Sequence, residues 1–179
     1  MTVALTRAQI VDTARTMLAE QGLAGLTMRR LAHTLGVRPG ALYYHVASKQ
    51  DLLAAVAEEI LAAAETSAED PFKAAHDLRA ALLPIRDSAE VISFVSAFRP
   101  EALGPFRALE EMFELPPQQA RWAARTLSHY VLGFVAEEQN HAELVRARII
   151  TDPPDPEATA EAFRFGVAAI LRGLGQRDR

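Results

Sequence analysis

The chain of 179 residues contains no cysteine. Disulfide scaffolds, thiolate metal sites and cysteine nucleophiles are excluded, and a reducing, cytoplasmic setting is expected. No apolar run approaches the length of a membrane span. Met1–Leu5 leads into no apolar h-region, so a secretory signal is not expected. Gly-x-Ser-x-Gly and glycine-rich phosphate loops are both missing, so no enzymatic activity and no cofactor are expected. Internal repeats, low-complexity tracts and strand signals are absent, whereas apolar residues recur at helical spacing almost throughout. The fold class expected is all-α.

Positive charge is also scarce overall. The net charge is −4 and the pI near 5.7, which alone argues against a nucleic-acid partner. The distribution reverses that argument. Residues 1–50 hold Arg7, Arg15, Arg29, Arg30, Arg38 and Lys49 against Asp12 and Glu20, a net +4 that leaves −8 on the remainder. A basic end on an acidic body suggests a polyanion partner for that end alone.

Thr27 to Lys49 is where that basic end acquires a shape. Thr27 is a good N-cap, and Met28, Leu31, Ala32 and Leu35 share one helix face. Gly36 occupies a helix-ending position, and Pro39 suits the first turn of a second helix to about Val46. Leu42 and Val46 form its inner face, while Gly40, Ala41, Tyr43, Tyr44 and His45 form the outer one. Two short helices about a glycine turn make a helix-turn-helix, whose second helix enters the major groove by its N-terminal end. Gly40 and Ala41 would permit close approach there. Spacing alone is also compatible with a packing hairpin in a helical bundle.

The string LTMRRLAHTLGV followed by ALYYHVASKQDLL resembles the DNA-binding domain of the TetR family of bacterial repressors, over about Thr6 to Leu61. The resemblance implies an N-terminal three-helix helix-turn-helix domain, residues 1–48. It also implies a C-terminal helical ligand-binding and dimerisation bundle, residues 49–179. The protein would act as a homodimer on a double-stranded DNA operator, without a membrane, until a small-molecule effector binds. The DNA-binding residues would be Thr27, Arg29, Pro39, Gly40, Ala41, Tyr43, Tyr44, His45 and Lys49. Arg29 is expected at a base edge, Thr27, Tyr43, Tyr44 and Lys49 on phosphates, and His45 on either.

Elsewhere, capping patterns at Thr6–Gln9 and Ser48–Asp51 start helices ending near Glu20 and Ala64. The second is expected to be a stiff lever. Thr66–Pro71 reads as a loop. Further helices are expected over Phe72–Ile85, Val91–Phe98, Leu103–Leu115, Pro117–Arg148 and Pro156–Leu174. Small and apolar residues line the last two: Ala120, Ala123, Ala124, Leu127, Val131 and Phe134 on one, Phe163, Gly166, Ala169, Ile170 and Gly173 on the other. Such faces pack closely within a chain or across a twofold axis.

Ser128–His141 and Leu82–Val91 are similar to segments of the tetracycline-repressor subgroup. By that similarity His129 and Glu137 align with ligand-site positions. Ile92, Glu65 and Ala74 fall where the subgroup has a metal-binding histidine, a drug-binding histidine and an asparagine. These departures argue against a tetracycline–magnesium chelate, and no metal is expected. The effector pocket is expected among Leu78, Leu82, Ile92, Phe94, Phe98, Phe106, Met112 and Phe113, with His129 and Glu137 as its polar groups. All the apolar ones serve equally as plain core.

One rival function has a match in the sequence. Glu138-x-x-His141 fits the ligand spacing of di-iron bundles, but such a site needs a second copy, and the sequence has none. An all-α interaction or metal-bundle protein without DNA-binding function is the alternative reading.

Overall fold

The structure, a computed structural model, describes residues 5–62, 64 and 70–175. Glu65 and residues 66–69 of the expected loop lie outside the described residues. The described chain is helical, with no strand: α1 Arg7–Gly25, α2 Met28–Thr34, α3 Pro39–His45, α4 Lys49–Ala62, α5 Pro71–Leu82, α6 Ser88–Phe98, α7 Gly104–Glu111, α8 Pro117–Arg146 and α9 Pro156–Gly173. A short 3₁₀ turn, Pro100–Ala102, joins α6 to α7.

Local chemistry sets several starts. The Gln9 amide donates to Thr6 Oγ1 at 3.2 Å, and the Thr6 amide donates back to Gln9 Oε1 at 2.9 Å. Ser48 Oγ accepts from the Asp51 amide at 3.0 Å, and Asp70 caps α5 through the Phe72 amide at 2.9 Å. Each such cap satisfies an amide that the helix cannot, contributing about 1 kcal/mol.

α4 is the axis of the molecule. Leu52, Leu53, Ala54, Ala55, Val56, Ala57, Ile60 and Leu61 are all buried. It packs on α1 from one side and on α5, α6 and α7 from the other. Full burial of a leucine such as Leu52 contributes about 1.5–3 kcal/mol. α8, of 30 residues, spans roughly 45 Å. It packs on α5, α6, α7 and α9. One apolar core runs from Ile10 to Leu171.

Several boundaries differ from the sequence expectation. α1 continues past Gly22, which kinks it with φ +70 and ψ 180. α5 stops at Leu82: Leu83 keeps helical φ/ψ and its amide still donates to Arg79 O at 2.9 Å, but Pro84 has no N–H to continue the series. α6 begins at Ser88 rather than Val91, after Asp87 in a left-handed conformation (φ +56). The Leu103–Leu115 helix is shortened to α7.

Of the two packings open to the small-residue face of α8, the one within the chain is the one observed. Ala120, Ala123, Ala124, Leu127 and Val131 are buried within the chain. They cannot also meet a second copy. A different stripe of α8 is left open: Trp122, His129, Gly133 and Leu144 among its members, with Phe165 on neighbouring α9. Phe165 is 72% exposed and Trp122 61%.

Candidate nucleic-acid interface

The α2–α3 corner is held from within and open without. Thr27 Oγ1 accepts from the Arg30 amide at 3.2 Å and starts α2. Gly36 takes φ +66, a conformation that other residues adopt only under strain. The Val37 amide then donates to Ala32 O at 2.9 Å, which fixes the turn. Pro39 opens α3, and Leu42 and Val46 anchor it in the core.

The opposite side of α3 faces solvent. Pro39, Gly40 and Ala41 are exposed, and a Cβ on Gly40 would touch nothing within 4 Å. The fold therefore does not require a glycine there. Tyr43 is 50% exposed and Tyr44 88%, so neither ring is core; Tyr44 meets His45 edge-on at 5.1 Å. Thr27 and Arg29 are exposed at the start of α2, and Lys49 is half-buried at the start of α4. Arg30 is not free in the same way, because its guanidinium donates to Gln21 Oε1. The corner thus presents a small tip flanked by hydroxyls, an imidazole and cations.

Two ties join this corner's supports to the ends of α6. At one end, the Leu23 amide of α1 donates to Asp87 Oδ2 at 2.7 Å. At the other, Arg99 Nη2 lies 2.6 Å from Asp51 Oδ1 in the first turn of α4. The hydrogen bond from Ser48, and then Arg99, hold the Asp51 carboxyl below its ordinary pKa. Neither tie has a local sequence signature. Asp87 stands 64 residues from Leu23, and Arg99 stands 48 from Asp51.

The residues expected around an effector separate into three groups. Leu78, Leu82 and Ile92 are fully buried, with Phe106 and Phe113 nearly so; Met112 is half-buried. Phe94 and Phe98 instead stand on the outer side of α6, 45% and 40% exposed, with ring centroids 5.1 Å apart. Val91, Ile92 and Val95 take the inward side of α6, which leaves those rings outside. Phe94 and Phe98 therefore do not share an enclosed pocket with Ile92. His129 and Glu137 are exposed on α8. His129 does enter a groove of about 540 Å³ between α6 and α8, together with Asp87, Glu90, Ser93, Gln139 and Asn140; Glu137 does not line it.

The di-iron alternative fails on Glu138. Arg79 Nε donates to Glu138 Oε2 at 2.8 Å, and a second bond from the same guanidinium completes a bidentate, mostly buried pair. Arg79 also lies 5.1 Å from the Phe163 ring centre, which ties α5, α8 and α9 together. Among the described residues no group of three or more His, Cys, Asp or Glu could hold a metal ion. Nor is any described helix long and apolar enough to cross a membrane.

A short helix anchored by its inner face and offered tip-first beside a capped partner helix defines a helix-turn-helix DNA-binding regulator. Residues 10–56 match the family model described as bacterial regulatory proteins, tetR family. The tetracycline repressor protein class D of Escherichia coli is 31% identical, over 95% of this chain and 89% of that protein. The chain belongs to the TetR family, and is a transcriptional regulator rather than an enzyme. Among solved structures, Mycobacterium smegmatis BioQ superposes with a TM-score of 0.78 at 35% identity, covering 95% of this chain and 98% of that one. BioQ with its double-stranded DNA operator gives 0.78 at 34% identity, covering 97% and 99%.

Proposed function

We propose that the protein is a ligand-responsive repressor that binds a near-palindromic operator as a homodimer and is released by a small-molecule effector. The observation that carries this reading is the bare tip of α3. Gly40 and Ala41 are exposed where the fold asks for no glycine, and two tyrosines flank them in solvent. A packing hairpin would have buried one or both rings. BioQ, similar along almost its whole length, is known with a DNA operator, which supports transfer of the mode of binding.

In this reading residues 1–48 form the DNA-reading domain and 49–179 the effector and dimer domain. Pro39, Gly40 and Ala41 enter the major groove, Arg29 reaches a base edge, and Thr27, Tyr43, Tyr44 and Lys49 hold phosphates. His45 stands beside Tyr44 at the same edge. Phosphate contacts set register, and base contacts set sequence preference. The open stripe through Trp122, His129, Gly133, Leu144 and Phe165 is the dimer face. Large exposed apolar side chains on two adjacent helices are what a self-complementary twofold interface requires. The site of action is the cytoplasm, where chromosomal DNA lies. The effector acts by favouring a state whose α3 helices no longer match two major grooves. α6, tied to α1 at one end and α4 at the other, is the element through which the two domains communicate.

The experiment is a gel-shift with DNA from beside the protein's own gene, repeated with Arg29→Ala. Loss of preference among operator variants, by about 1–3 kcal/mol, is the expected result. Undiminished preference would remove Arg29 from the base-reading role.

A further inference from the structure

Pro39, Gly40 and Ala41 let α3 approach a groove floor, but they cannot read it. Sequence is read by side chains that bond or touch base edges. Pro39 and Gly40 carry no such group, and Ala41 offers only a methyl. We infer that Arg38, the residue just before α3, reads a guanine in each half-site and sets operator preference beside Arg29. This rests on the repressor reading and deepens it.

The fold makes no use of the Arg38 side chain. Arg38 is exposed at the N-cap of α3, with φ −77 and ψ 145, and makes no cap hydrogen bond. Serine, threonine, aspartate and asparagine suit that position, and arginine does not. α1 and α2 begin on Thr6 and Thr27, and α4 on Ser48, each with a hydroxyl that accepts a backbone amide. α3 forgoes that contribution and carries a guanidinium instead. The guanidinium is also unclaimed. Arg15 is held by Asp12 and Glu59, and Arg30 by Gln21. Arg38 has no hydrogen bond or ion pair with any described residue. Residues 21–50 contain no aspartate or glutamate, so no carboxylate stands near it along the chain.

The space in front of Arg38 is clear as well. Nothing stands within 4 Å of a Cβ placed on Gly40, and the glycine itself puts no side chain there. A planar guanidinium matches O6 and N7 of guanine with two parallel N–H donors, a fit that an ammonium lacks.

Magnitudes call for a second reader. A bidentate arginine–guanine pair favours the right base by about 5- to 150-fold. Arg29, present twice in a homodimer, would supply about 25- to 20,000-fold. Operator binders prefer their site over other DNA by about 10³- to 10⁷-fold. One arginine per half-site falls short of most of that span. Arg29 and Arg38 together reach across it, at about 600- to 5 × 10⁸-fold.

The test is selection from a randomised duplex library by the full chain, as wild type, Arg38→Ser and Arg38→Lys, with thermal shift on the same preparations. The wild type should recover a near-palindromic consensus. Arg38→Ser should lose one guanine in each half, its preference there falling about 5- to 150-fold, while the other positions stand. Arg38→Lys keeps the charge without the fork, so overall DNA affinity should hold while preference at that base pair weakens. The melting temperature of Arg38→Ser should be equal or higher, because serine can cap α3. An unchanged consensus for Arg38→Ser would overturn the proposal: with binding weakened on every sequence Arg38 is a phosphate contact, and with full binding it is a bystander. A melting temperature several degrees lower would return Arg38 to the fold and equally overturn it. If the wild type recovers no consensus, the repressor reading fails and this proposal falls with it.

Discussion

Replacing Gly40 by leucine should separate folding from DNA binding. Gly40 lies in the first turn of α3 with ordinary negative φ, and nothing stands within 4 Å of a Cβ placed on it. Leucine there meets no neighbour in the chain. Glycine is about 0.8–1 kcal/mol worse than alanine in a helix interior, and leucine is close to alanine. The substitution should therefore stabilise the fold by up to about 0.5–1 kcal/mol, less at a first-turn position. For a chain of this size that is a rise of roughly 1–4 °C in melting temperature. On DNA the effect is opposite. A branched side chain at the tip holds α3 off the groove floor and breaks at least one base contact, worth about 1–3 kcal/mol, or about 5- to 150-fold in affinity. Differential scanning fluorimetry and a gel-shift titration on one protein preparation measure both. Unchanged DNA affinity would mean that the tip does not approach the bases. A fall of several degrees in melting temperature would mean that Gly40 serves the fold instead.

Three further outcomes follow from the body of the molecule. Arg79→Ala strands a mostly buried Glu138 carboxylate and should cost on the order of 3 kcal/mol in urea unfolding, whereas Arg79→Ala combined with Glu138→Ala should recover part of that loss. Acid should destabilise the protein in two stages. Burial, then Arg164 and Arg79, hold His76 below its ordinary value of 6.5, so the unfolded chain takes up the proton first and stability falls as pH drops from about 6.5 toward the lower folded value. Asp51 is held below 3.8, so its contribution is present above that value and is lost as pH falls through the folded one. Denaturant midpoints across pH should show the first stage vanish in His76→Phe and the second shrink in Asp51→Asn. Finally, Trp122→Arg with Phe165→Asp should give a folded monomer by sedimentation, because both side chains are exposed and support no in-chain core; an unchanged dimer would place the interface elsewhere.

The parts legible in the sequence are those fixed by neighbours along the chain. Thr6 with Gln9, Thr27 with Arg30, Gly36 and Pro39 each act within a few residues, and they mark α1, α2 and α3 without reference to the rest. The inward face of α3 was also readable, because Leu42 and Val46 are its only large aliphatic residues. α6 was harder. Apolar residues surround it almost completely, so periodicity could not separate the inward Val91, Ile92 and Val95 from the outward Phe94 and Phe98. In α8 the small-residue face suited packing within the chain as well as between chains, and the choice depends on α5, α6 and α7 being present to cover it. The places of Gln139 and Asp87 beside the α6–α8 groove were invisible for a related reason. Gln139 is oriented by Leu82, Ile85 and Ser88, more than 50 residues away in sequence. Asp87 reads as a turn residue, and only the fold brings it to Leu23.

The most direct test of the whole account is a footprint on the DNA beside the protein's own gene, with the number of protomers bound measured on the same fragment. Two protomers are expected on one near-palindromic site, with protections centred about 34–36 Å apart on the two half-sites. Binding that shows no symmetric site, or a single protomer per protected site, would contradict it.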